Sequence, residues 1–110
     1  MNRKVTTIIT AVTGDRVVIG EAELKHANEE HFSMLPVDIL LELIERILKD
    51  PSKIFYEAKL NEYHLFYRRD NERYSVVIVK KTSTGNYFST MYSTGTSIRN
   101  AHKDLEEIKI

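Results

Sequence analysis

The chain has 110 residues, 42% of them apolar and 29% charged, which suits a single soluble globular domain over residues 1–110. Sixteen basic residues cancel sixteen acidic ones, so coating of nucleic acid by bulk charge is excluded, because that binding comes from phosphate neutralisation. Cysteine is absent, which removes disulfides, thiolate metal sites and thiol nucleophiles and leaves the compartment open.

The first segment carries Arg3 and Lys4, and its apolar residues are broken by threonines. Neither a signal peptide nor a membrane span is expected from it. The stretch from Val5 to Val12 is β-branched and threonine-rich, as a strand is. Thr13, Gly14 and Asp15 form a turn, and Arg16 to Ile19 resume as a strand, so the two segments predict a hairpin. Gly20 ends it. Glu21 and Glu23 then place acidic side chains in a first helical turn, where they complement the dipole, and a helix is expected from Glu21 to Phe32.

Pro36 opens a second helix at a first-turn position. Leu40, Leu41, Ile44, Ile47 and Leu48 form its apolar stripe, Glu42, Glu45, Arg46 and Lys49 its polar face, and Asp50-Pro51 its stop. Four strands follow, over Ile54 to Leu60, Tyr63 to Arg69, Arg73 to Lys81 and Tyr87 to Ser93. Short breaks rich in turn formers predict antiparallel hairpins between them. Ile98, Ala101 and Leu105 recur at helical spacing and suggest a last helical stretch from Ser97 to Glu107. The fold class is therefore α+β: early helices packed on a mostly antiparallel sheet of four to six strands. Val76, Val77, Ile78 and Val79 are consecutive and apolar, the mark of a central strand covered on both faces.

Three groups of residues carry chemistry. His26 and His31 are five apart, about 140° around a helix, so they do not share a face and do not form a helical metal pair. No metal and no cofactor is expected. The second group is Tyr63-His64-Leu65-Phe66-Tyr67-Arg68-Arg69, continued by Arg73-Tyr74 and Lys80-Lys81. Alternation sets Tyr63, Leu65, Tyr67 and Arg69 on one face and His64, Phe66 and Arg68 on the other. Pairing Arg69 with Tyr74 would place Tyr63 opposite Lys80 and Arg68 opposite Ser75. Cations interleaved with rings suit RNA, whose phosphates bind guanidinium groups and whose unpaired bases stack on rings. Tyr67, Arg69 and Arg73 are the candidate RNA contacts. The third group is the hydroxyl-rich run from Phe88 to Ser97, suited to holding a phosphate.

The order of these parts resembles the phage-associated branch of the barnase–EndoU–colicin–RelE-like (BECR) nuclease superfamily. The likeness rests on Leu24-Lys25-His26-Ala27-Asn28-Glu29-Glu30-His31, on the helix from Glu42 into Asp50-Pro51, on Tyr67-Arg68-Arg69, on Tyr74 to Lys80, and on Tyr87-Phe88-Ser89-Thr90-Met91-Tyr92-Ser93-Thr94. Members usually have an arginine before the second histidine, where this chain has Glu30. The resemblance implies a BECR-like sheet and a metal-independent endoribonuclease, often the toxic part of a toxin–immunity or phage-encoded system. In the implied reaction the ribose 2′-hydroxyl attacks the adjacent phosphate and leaves a cyclic phosphate. It further implies His31 or His26 as general base or acid, Arg68 and Lys80 on the transition-state charge, Thr90 positioning the phosphate, and Tyr92 stacking on a base or relaying a proton. RNA, tRNA among it, is the implied substrate, the cytoplasm the implied place of action, and an immunity or antitoxin protein an implied partner. No membrane partner is expected.

Two other readings stand beside this one. A non-catalytic immunity or antitoxin protein would use Glu21, Glu23, Glu29, Glu30, Glu42 and Glu45 as an acidic surface for a basic toxin. An RNA-binding module without cleavage would use the same basic and aromatic strands.

Overall fold

A computed structural model of the chain describes residues 5–31, 35–68, 73–95 and 105–109. In chain order its elements are β1 (Val5–Thr10), β2 (Arg16–Gly20), α1 (Glu21–His31), α2 (Val37–Lys49), β3 (Lys53–Glu57), β4 (Glu62–Arg68), β5 (Arg73–Thr82), β6 (Gly85–Gly95) and β7 (Glu106–Ile108). The α+β class holds, but the sheet has seven strands, ordered β1-β2-β6-β5-β4-β3-β7, more than the four to six expected. No helix among the described residues is long and apolar enough to cross a membrane.

The hairpins are where turn chemistry places them: β1 with β2, β3 with β4, β4 with β5, and β5 with β6 all pair antiparallel. β5 is the central strand, and its run from Val76 to Val79 is buried on both sides. Two pairings were not expected. β2 runs parallel to β6 through Val17↔Asn86 and Val18↔Tyr87, joining the first hairpin to the rest of the sheet. At the far end, Glu106 to Ile108 pair with β3 as a strand. The expected last helix is thereby corrected where it can be seen. Residues 97–104 lie outside the described residues, and alternation from Leu105 to Ile108 suits an edge strand, with Ile108 against the core and Glu107 outward.

Two smaller corrections concern boundaries. β3 ends at Glu57 and Glu62 already belongs to β4, because the chain reverses through residues 58–61 with Asn61 in the left-handed region (φ 52°), which asparagine tolerates. Pro36 precedes α2 at the cap rather than within its first turn. The β4–β5 register is also one residue from that expected: Arg68 faces Tyr74, Tyr67 faces Ser75, and Glu62, not Tyr63, faces Lys80. A one-residue slip would exchange the two faces of the strand. The observed register lays Phe66 beside Val76 on one face and Leu65 beside Val77 on the other.

Both helices lie on one side of the molecule's main core. α2 contributes Leu40, Ile44, Ile47 and Leu48, spaced to form one stripe, against Ile9, Val17, Ile19, Ile54, Leu65, Val77, Val79 and Met91. α1 is far more polar and, among its described side chains, buries Leu24, Ala27 and Asn28. It starts directly after β2 and packs along β6, beside the point where β2 ends. Asn28 fixes the passage to α2: its amide donates to the Leu35 carbonyl (2.7 Å) and its side-chain oxygen accepts from the Leu35 N–H (2.8 Å). The opposite sheet face carries a second, smaller cluster of Phe55, Phe66, Val76 and Ile78 with Tyr74, Tyr92 and Leu105.

Candidate functional site

The face turned away from the helices gathers the polar groups. Cross-strand partners share a face, so three rows can be read from the register. Glu62 faces Lys80, which faces Tyr87; His64 faces Ile78, which faces Thr90; Phe66 faces Val76, which faces Tyr92. The pairing shifts between Ile78 and Val79, leaving Ser89 as an extra residue in β6. That bulge lets Tyr87 and Thr90 occupy the same face, although strict alternation would have opposed them.

Within this face, Oε1 of Glu62 lies 3.0 Å from Nε2 of His64, and both side chains are almost wholly buried. Two residues apart on one strand, the two groups point the same way, and an imidazole carrying its proton on Nε2 donates to the carboxylate. Burial pushes the Tyr92 phenol above the ordinary tyrosine value, and the charge of Glu62 adds to the effect. Tyr92 is thus held in its neutral, proton-carrying form.

At the edge of the same face, a cleft of about 390 Å³ opens between α1 and the β5–β6 hairpin. Glu23 comes from α1, Lys80 and Thr82 from β5, and Tyr87, Phe88 and Ser89 from β6. Thr82, Thr84 and Tyr87 are chained by hydroxyl contacts of 3.1 Å each, which hold the tyrosine against its own turn. Gly20 allows Glu23 to fold back at the start of α1: a Cβ there would stand 3.1 Å from a Glu23 carboxylate oxygen. Chemically, the cleft offers one ammonium group, one carboxylate and several hydroxyls. Among the described residues, no group of three histidine, aspartate or glutamate side chains is placed to hold a metal ion.

Of the residues singled out from sequence, Lys80, Thr90 and Tyr92 come together on this face, with Lys80 one diagonal step from Thr90. Arg68 shares the face but stands at its other end, opposite Tyr74. His26 is exposed on α1, the helix that flanks β6. His31 closes α1, and its side chain lies outside what the structure describes, as does all of Arg69. Tyr67 is on the helix side of the sheet, packed against the main core. A hydrogen bond from Arg46 of α2 reaches its hydroxyl, and this raises the guanidinium pKa above its ordinary value. Arg73 is exposed at the start of β5, opposite Gly95.

Sequence reasoning passed over Glu62, His64 and Glu23. Turn chemistry at Asn61-Glu62 assigns Glu62 to the break before β4, which hides the carboxylate two residues before His64 on the same face of one strand. An acidic residue two positions before a histidine inside a β segment is the signal that would have exposed the pair. Glu23 figures in the sequence as a dipole partner and as part of an acidic surface, not as a cleft residue. Comparison with protein-family models, with curated proteins and with solved structures finds no match to this chain.

Proposed function

We propose that this chain is a metal-independent endoribonuclease with a BECR-like sheet, cleaving RNA by attack of the ribose 2′-hydroxyl to leave a cyclic phosphate. The observation that carries this reading is the docking of the histidine-bearing helix along β6, so that α1 and Lys80 border one cleft next to Thr90. The order of segments that resembles the phage-associated branch supports it independently. Lys80 stabilises the extra negative charge on phosphorus, Thr90 orients the phosphate, Tyr92 moves a proton, and His31 or His26 supplies an acid or base from the helix. Arg68, at the other end of the face, meets a phosphate further along the RNA, with Arg73 at the start of β5 beside it.

The surface charge also favours this reading over an immunity-like one. Glu42, Glu45 and Asp50 share a surface hollow with Arg46 and Lys49, and Lys25 lies 3.9 Å from Glu29. Acidic groups interleaved with cations do not form the coherent negative patch that capture of a basic toxin requires.

Total RNA incubated with the purified chain in excess chelator tests the reading. Discrete fragments with 2′,3′-cyclic phosphate and free 5′-hydroxyl ends are expected. RNA that stays intact overturns the reading, and retention of RNA without cleavage favours a binding module.

A further inference from the structure

The two edges of the sheet are built differently. β7 closes one side with three residues, two of them glutamates, and a short, charged edge resists pairing with other chains. β1 closes the other side with six residues, Val5-Thr6-Thr7-Ile8-Ile9-Thr10, all of them β-branched. The chain carries no charge from Val5 to Val12. Ile8 is 46% exposed, and Val5 is exposed to a similar extent. We propose that β1 is a docking edge for a second copy of this chain, the two β1 strands pairing antiparallel about a twofold axis at Ile8.

The hydrogen bonds show which backbone groups face outward. The Ala11 N–H donates to the Asp15 carbonyl (2.8 Å), and Ile9 and Thr7 fall in the same phase of the β1–β2 ladder. Ile8, Thr10 and Val12 therefore turn their backbone groups away from β2. Val12 is already engaged, because its N–H donates to the Leu48 carbonyl of α2 (2.8 Å). The edge open to pairing thus runs from Val5 to Ala11, with Ile8 at its midpoint. The register shift lies near the strand's start and leaves the pairing from Thr7 to Thr10 regular. Turned end for end about Ile8, a second β1 sets Ile8 against Ile8 and Thr7 against Ile9, and it stops short of α2.

Charge selects the occupant. A strand that meets its own copy doubles whatever charge it carries, and like charges facing one another are destabilising. β1 has none, so its copy meets only β-branched side chains, which favour one another across strands. Beside the strand lies a largely apolar hollow of about 370 Å³, lined by Thr6, Leu24 and Val37 with Glu21 and Lys25 of opposite sign. The arriving strand covers the β1 side of that hollow. Such a contact is isologous and uses up both β1 edges, leaving only the two acidic β7 edges, so assembly stops at two copies. One strand pair buries less than the ~1,200 Å² of a standard interface, which sets an affinity no tighter than about micromolar. The pairing is independent of the ribonuclease reading.

Sedimentation equilibrium of the whole chain from about 1 to about 500 µM tests the proposal, and a monomer passing to a dimer is expected. Ile8→Lys sets two ammonium groups together at the axis and should weaken the dimer by about tenfold or more. A thermal melt of the dilute variant checks that it folds. Because the chain lacks cysteine, a single introduced thiol reports on one position. Facing residues of a hydrogen-bonded antiparallel pair have Cα atoms about 5.5 Å apart, within disulfide range. Ile8→Cys should therefore form a disulfide-linked dimer on mild oxidation. Leu60→Cys, in the exposed turn between β3 and β4, should not. A wild-type chain that stays monomeric throughout overturns the proposal, even if another protein's strand binds there. So do assembly beyond two copies, a dimer that a folded Ile8→Lys leaves intact, and cross-linking of Ile8→Cys no faster than that of Leu60→Cys.

Discussion

Arg68 and Lys80 point from the same face of the sheet yet cannot grip the same phosphate. Lys80 stands opposite Glu62, and Arg68 lies six positions along β4 from Glu62, opposite Tyr74. At about 3.3 Å per residue the two cations are ~20 Å apart, more than two side chains can span towards one small anion.

The separation predicts different kinetic signatures. Lys80→Ala should lower kcat by about 10²–10³-fold, the usual loss when one transition-state charge partner is removed. Arg68→Ala should mainly raise KM, and the effect should shrink with added salt because the contact is exposed. Cleavage kinetics at two ionic strengths check both. Equal losses in kcat for the two variants would contradict the geometry.

Asn28 predicts a stability effect with a chemical signature. Its side chain satisfies both the N–H and the carbonyl of Leu35, which brings α1 into its place beside β6. Asn28→Ala leaves two backbone groups without those partners and should cost about 2 kcal/mol. Asn28→Asp keeps the acceptor but sets a carboxylate against the Leu35 carbonyl, so it should not recover the wild-type stability. Urea denaturation of the three proteins measures the difference.

Phe66 anchors the open face. Its ring meets Phe55 edge-on at 5.3 Å and 79°, and Tyr74 at 5.9 Å and 77°. The residue is fully buried, so Phe66→Ala should destabilise the fold by about 3–5 kcal/mol, with cavity formation added to lost transfer energy. Phe66→Leu should cost less than half of that. Chemical denaturation midpoints at constant m decide the matter.

Tyr92 predicts how stability responds to alkali. Burial first, and the charge of Glu62 second, raise its pKa in the folded chain. On raising the pH, the unfolded chain therefore gives up this proton first, near the ordinary tyrosine value of about 10. The stabilising contribution is fully present below that value and is lost as pH rises through it towards the raised folded value. Melting temperatures should fall as pH rises above about 9, and Tyr92→Phe should fall less over the same range. An identical pH dependence in the two proteins would exclude Tyr92 as a contributor.

Much of the architecture follows from local pattern. The stripe of Leu40, Ile44, Ile47 and Leu48 determines α2, because side chains at that spacing lie on one side of a helix whatever surrounds it. The β-branched run from Val76 to Val79 determines a strand buried on both faces, and the short polar breaks determine the hairpins around it. The segregation of Tyr67 from Arg68 was equally legible, since alternation requires it.

What remained illegible depends on partners distant in sequence. The parallel pairing of β2 with β6, the bulge at Ser89, the docking of Glu106 to Ile108 on β3 and the one-residue placement of the β4–β5 register are all settled by which strands meet, not by any segment alone. Those pairings, in turn, put Glu62 opposite Lys80, brought Thr90 and Tyr87 to one face, and set α1 beside β6. The chain itself therefore determined the elements and which residues each strand shows on either side. Only the tertiary structure decided which of those residues meet, because a strand's neighbours are chosen by burial summed over the whole sheet.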